Sequence, residues 1–146
     1  MSVTSDWDIS AAAVAAQLQS MIARADLGAG NAQLVLYTTT RPTSIGDPHA
    51  DTPQATITLA KPSGTIVDGA LVLHVLDPAG AMVQADGLPR WAEWSAGDGV
   101  LLARCDVSDM DNGGGIRVVG GSTPPGETSP MLYAGGLVQL GLVALT

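Results

Sequence analysis

From Gly28 onward the chain is cut into short apolar runs by glycine, proline and aspartate, and that punctuation admits few folds. Gly28-Ala29-Gly30 breaks whatever precedes it, because glycine takes the positive φ that ends a helix. Residues 33–39 then alternate Leu34, Leu36 and Thr38 against Val35, Tyr37 and Thr39, the pattern of a half-buried strand, and Arg41-Pro42 stops it. Residues 43–53 read as a loop. Ala55, Ile57 and Leu59 alternate with Thr56 and Thr58 in a second strand, and Lys61-Pro62-Ser63-Gly64 reads as a turn. A short strand over 65–67, broken at Asp68-Gly69, precedes another over 71–76. Asp77-Pro78-Ala79-Gly80 has turn chemistry, so 71–85 is expected to be a hairpin. Further strands are expected around Trp91–Trp94, over 100–107 and over 116–119, with Asn112-Gly113 as a tight turn and 120–130 as a Gly/Pro loop. Residues 131–146 close the chain with an apolar run. One helix followed by about seven or eight short strands predicts a mainly β protein, an antiparallel β-sandwich or jelly-roll-like domain.

The segment before Gly28 has a different period. Val14, Leu18, Met21, Ile22 and Ala25 recur at helical spacing, and Ser5, Asp6, Asp8 and Ser10 offer N-caps. This predicts a helix over 8–26, with 1–7 loose before it. Its narrow, Ala-rich stripe would cover an open end or face of the β-domain, or pack on a neighbouring subunit. The expected organisation is an N-terminal helical arm over 1–29 and a β-sandwich over 30–146.

Composition narrows the function. Forty-six per cent of residues are hydrophobic, there is no phenylalanine, and aromatics are only 3%, so small branched side chains build the core and the three tryptophans are its large anchors. The net charge is −8 with six basic residues, too few for a phosphate-binding stripe, so neither nucleic acid nor an anionic membrane is expected as a direct partner. No signal peptide or spanning segment is read; the run 132–145 is interrupted by Gly135, Gly136, Gln139 and Gly141 and is shorter than the ~20 residues a spanning helix needs. These features describe a soluble protein made in a reducing cytoplasm.

Candidate chemistry is sparse. Cys105, the single cysteine, sits in the alternating run Leu101, Ala103, Cys105, Val107 and reads as a buried apolar residue. His74 shares a strand face with Val72 and Leu76 and reads as structural. His49 lies in Asp47-Pro48-His49-Ala50-Asp51, a Pro-rich turn with too few ligands for a metal. Asp106, Asp109 and Asp111 lack the closing glutamate and the spacing of a calcium loop. No catalytic residue, cofactor or metal is therefore expected, and the protein is read as no enzyme. The interface candidates are Val14, Leu18, Met21 and Ile22 on the helix, Trp91 and Trp94, and Leu140 and Leu142 in the last run. Trp91 and Trp94 differ in strand parity, so one is expected in the core and the other toward a neighbour or solvent. The last run is apolar on both parities, which predicts a strand covered on both faces.

Gly28-Ala29-Gly30 after a short helix, Leu34-Val35-Leu36-Tyr37, Thr40-Arg41-Pro42, the Thr-rich strand 55–59, the tryptophan strand, Asp98-Gly99 and a terminal apolar strand together resemble a family of small virion proteins of tailed bacteriophages and prophages. The Pro-rich loop near Asp47 and the segment 120–130 depart from that pattern. The resemblance implies a non-enzymatic structural protein and does not say where on the virion it sits; the first reading is a protein that assembles in several copies, with itself and other virion proteins, in the tail or the head–tail connection. It implies a location in the virion, and in the host cytoplasm during assembly. A capsid decoration protein would have the same composition. A carbohydrate-binding module of a host-recognition device, built on Trp91 or Trp94, is the alternative from another class.

Overall fold

The structure is a computed structural model that describes residues 8–143 and Leu145. The expectations for residues 1–7, Trp7 among them, and for Ala144 and Thr146 fall outside the described residues. The protein is mainly β, with one N-terminal helix and eight strands in a single curled, mixed sheet among the described residues. The helix α1 runs over Ala11–Ala25. Ser10 caps it by accepting the Ala13 N–H at 3.1 Å, Arg24 stands in the last turn, and Gly28 follows at φ +96°. The strands are β1 (Gln33–Tyr37), β2 (Ala55–Val67), β3 (Ala70–Val75), β4 (Ala81–Met82), β5 (Trp91–Ser95), β6 (Leu101–Ser108), β7 (Ile116–Val119) and β8 (Leu137–Val143). Their order across the sheet is β3-β2-β1-β5-β6-β7-β8-β4.

The alternation seen in sequence sets the faces. Leu34 and Leu36 of β1, Ile57 and Leu59 of β2, Leu71 and Leu73 of β3, Trp94 of β5, Val107 of β6, Ile116 and Val118 of β7 and Val138 of β8 turn to the inner face and are buried in one cluster. Leu18, Ile22 and Ala25 of α1 belong to that same cluster, with Val14 and Met21 packed against it. The helix stripe therefore lies on its own sheet rather than on a free surface. Its end is fixed by polar contacts: the Asp26 carboxylate accepts the Ser63 N–H at 3.1 Å, Lys61 Nζ donates to the Gly28 carbonyl at 2.8 Å, and Arg24 pairs with Asp98 at 3.0 Å.

Several pairings differ from those expected. Lys61–Gly64 is no turn: β2 runs through it, with a register shift between Leu59 and Gly64. The reversal comes at Asp68-Gly69, both at positive φ, and joins β2 to β3. The 71–85 hairpin does not form either. Asp77–Gly80 does turn, but it hands the chain to β4, which pairs with β8. Asn112-Gly113 makes no hairpin, because β6 and β7 are parallel at Val107↔Ile116 and Ser108↔Arg117, so the sheet is mixed rather than antiparallel throughout. In β8, Arg117 faces Leu142 while Val118 faces Leu140, so Gly141 is an extra residue. This bulge switches parity: Val138 and Leu140 point inward before it, Val143 and Leu145 after it. An alternating strand with a bulge thus looked apolar on both sides. Its second face is not covered, and Leu137 and Leu142 are 51% and 42% exposed.

Candidate functional site

The chain linking β1 to its neighbour β2, residues 38–54, is far longer than a hairpin needs. It folds back over the outer face of β5 and β6. The outward side chains there are Trp91 and Glu93 of β5 and Arg104 of β6, with Tyr37 at the end of β1. The strap buries them: Trp91 is 0% and Tyr37 7% exposed. This is why both tryptophans are buried although their parities differ. Trp94 belongs to the inner core, and Trp91 lies under the strap. Neither indole offers an open face on which a sugar could stack.

The rings of Tyr37 and Trp91 are stacked with centroids 4.4 Å apart. His49, from the strap, meets both edge-on, at 4.9 Å from Tyr37 and 5.0 Å from Trp91. Its Nε2 is hydrogen-bonded to Glu93 Oε1, and its Nδ1 accepts the Asp51 N–H at 3.2 Å while facing Asp51 Oδ2 at 3.2 Å. Glu93 Oε2 faces Arg104 Nε at 3.5 Å as an ion pair without hydrogen-bond alignment. The rest of the Arg104 guanidinium fastens the strap, donating to the Ser44 carbonyl at 2.9 Å and the Asp47 carbonyl at 3.0 Å. Its Cζ also lies 5.6 Å from the Trp91 ring centroid. Trp91 Nε1 donates to Thr39 Oγ1 at 3.2 Å.

Burial, and then the Glu93 carboxylate beside it, pushes the Tyr37 phenol up to about 12. Chemically the cluster is a polar network on an aromatic floor: one carboxylate between one guanidinium and one imidazole. Sequence reading placed His49 in a plain loop and missed Tyr37, Glu93 and Arg104. A signal was present. Glu93 is the lone charge of β5 and Arg104 the lone cation of β6, and a charge inside an apolar strand needs an opposite partner.

Elsewhere the expected residues behave as loops and core. Asp109 organises its own turn: it accepts from Thr123 Oγ1, from Asn112 Nδ2 at 2.7 Å and from the Asp111 N–H at 3.0 Å. Those bonds, the Thr123 one foremost, hold its carboxyl below the usual range. Among the described residues no group of three His, Cys, Asp or Glu is placed to hold a metal. Burial pushes the Cys105 thiol up to about 11, and the neighbouring Asp106 charge adds to this, so the thiolate is disfavoured. His74 bonds Thr65 Oγ1 at 3.0 Å on the exposed face of β3. Among the described residues no helix is long and apolar enough to cross a membrane. On the outer face at the other end of the sheet, Val119, Leu137, Leu142 and Met82 are 47%, 51%, 42% and 60% exposed. They stand on β7, β8 and β4, three strands in succession, with Met82 directly opposite Leu137.

Comparison with protein-family models, with curated proteins and with solved structures finds no match.

Proposed function

We propose that the protein is a non-enzymatic structural protein of a tailed-phage virion, assembling in several copies in the tail or at the head–tail connection. The observation that carries this reading is the group of outward apolar side chains Val119, Leu137 and Met82, with Leu142 further along β8, on three successive strands at one end of the sheet. Apolar side chains grouped in this way mark a surface that another protein covers. The sequence resemblance of the helix, the Gly28-Ala29-Gly30 break and the strand ending at Arg41-Pro42 supports the virion setting. The same reading assigns the β-domain to the sandwich or jelly-roll-like class. Two bonds bring the ends of the curled sheet together: Leu71 N–H to the Leu145 carbonyl at 3.1 Å, and Gln84 N–H to the Gln54 carbonyl at 2.6 Å.

The test is quantitative mass spectrometry of purified particles, with antibody labelling in the electron microscope. A ring-sized complement located on the tail or collar is expected. One copy per coat subunit over the head would replace this reading with capsid decoration. Absence from particles would overturn it.

A further inference from the structure

His49 is seated as a ligand would be. The floor of its seat is the Trp91 ring and one wall is the Tyr37 ring. Glu93 Oε1 receives its Nε2, and the Arg104 guanidinium closes the far side of that carboxylate. The four residues that form the seat come from the sheet, on β1, β5 and β6, and are rigidly placed by its ladders. The occupant comes from a strap with little apolar anchorage of its own. Over residues 41–53 only Pro42, His49 and Asp51 are even half-buried, and Ile45 near its tip is 53% exposed. What fastens the strap is polar: two carbonyls on Arg104, and His49 in its seat. A segment with few buried apolar contacts opens at lower cost than the core does.

We propose that Tyr37, Trp91, Glu93 and Arg104 form a ligand socket that is plugged in cis by His49. Its ligand class is a planar nitrogen heterocycle of imidazole size. Such a ring has an N–H to give to Glu93 and stands edge-on to the two stacked aromatic rings, as His49 does. It competes with His49, and its entry lifts the strap. The covalent link gives His49 a high effective concentration, so the intact protein holds its plug against dilute competitor.

The probe is imidazole itself, used with the full chain. His49→Gly removes the plug and leaves the socket. We expect this variant to bind imidazole saturably, by titration calorimetry and by a change in tryptophan fluorescence, about tenfold or more tighter than the parent. Adding Glu93→Gln to it removes the charged acceptor and is expected to weaken imidazole by about tenfold or more. Protease cleavage between residues 41 and 53 is expected to be faster in His49→Gly than in the parent, because the strap has lost its plug. Should His49→Gly not fold, the parent decides: imidazole at high concentration should accelerate strap cleavage along a saturating curve while leaving far-ultraviolet circular dichroism unchanged. A folded His49→Gly that binds no imidazole, one that binds equally well with Glu93→Gln, or a parent whose cleavage rate ignores imidazole would each overturn the proposal.

Discussion

Leu18 gives the sharpest test of how the helix is used. Its side chain is 0% exposed and sits in the cluster shared by the sheet strands. Truncation to alanine removes buried methyl groups and leaves a cavity between α1 and the sheet, which costs ~2–5 kcal/mol in a well-packed core. With ~2–4 °C of melting temperature per kcal/mol in a domain of this size, a loss of ~3 kcal/mol lowers the midpoint by ~6–12 °C. Leu137 is the matched control. It is 51% exposed on β8, and its truncation is expected to change stability by no more than ~0.5 kcal/mol. The assay is thermal unfolding followed by circular dichroism, at one protein concentration low enough to exclude assembly. If Leu18→Ala melts within ~2 °C of the parent, the helix does not share the core in solution, and its stripe is free for a neighbouring subunit.

Leu140 and Leu142 should separate folding from association. Leu140 packs against the core, so Leu140→Asp should lower the melting midpoint sharply, while Leu142→Asp should melt like the parent and lose self-association, read by analytical ultracentrifugation. In a Tyr133→Phe variant only Tyr37 titrates as a tyrosine, and its absorbance midpoint should lie near the value of about 12 while the protein is native. Between the unfolded midpoint of about 10 and that value the folded state holds a proton the unfolded state has lost, so stability should fall as pH rises through this window. A native-state midpoint near the unfolded one would show that Glu93 and burial do not act on the phenol. Chelator should leave the melting temperature unchanged, since Asp109 spends its oxygens on Thr123, Asn112 and the Asp111 N–H; a drop restored by calcium would refute that assignment.

Local physics was legible in the chain, and long-range pairing was not. Alternation at Leu34 and Leu36, at Ile57 and Leu59, and at Leu71 and Leu73 gave both the strands and their inward faces, and Gly28 marked the helix exit. Turn chemistry at Asp77–Gly80 fixed a reversal but not the partner, because the ladder of β4 is with β8. Pro62 implied a stop, yet β2 absorbs it at a register shift. Gly141 resembled an ordinary strand interruption, and only the Arg117↔Leu142 and Val118↔Leu140 pairs reveal the parity switch behind the apolar last run. The strap was invisible for the same reason: the lone charge of Glu93 in β5 called for a partner but did not show that a loop would bring it. Period-two reasoning gives each strand two faces but says nothing of a loop that later covers one of them.

The position of β8 in the sheet has a kinetic consequence. It is the strand that joins β7 to β4, and the backbone just after it bonds β3 through Leu71. During synthesis β4 leaves the ribosome long before its partner exists. Val83, next to β4 and buried in the finished protein, must wait in a partial fold with its cover missing. Closure spans most of the β region, so loop-closure entropy is met late and its reward comes all at once. Nascent chains halted before residue 137 should therefore occupy chaperones, and release of β8 should be the event that frees them.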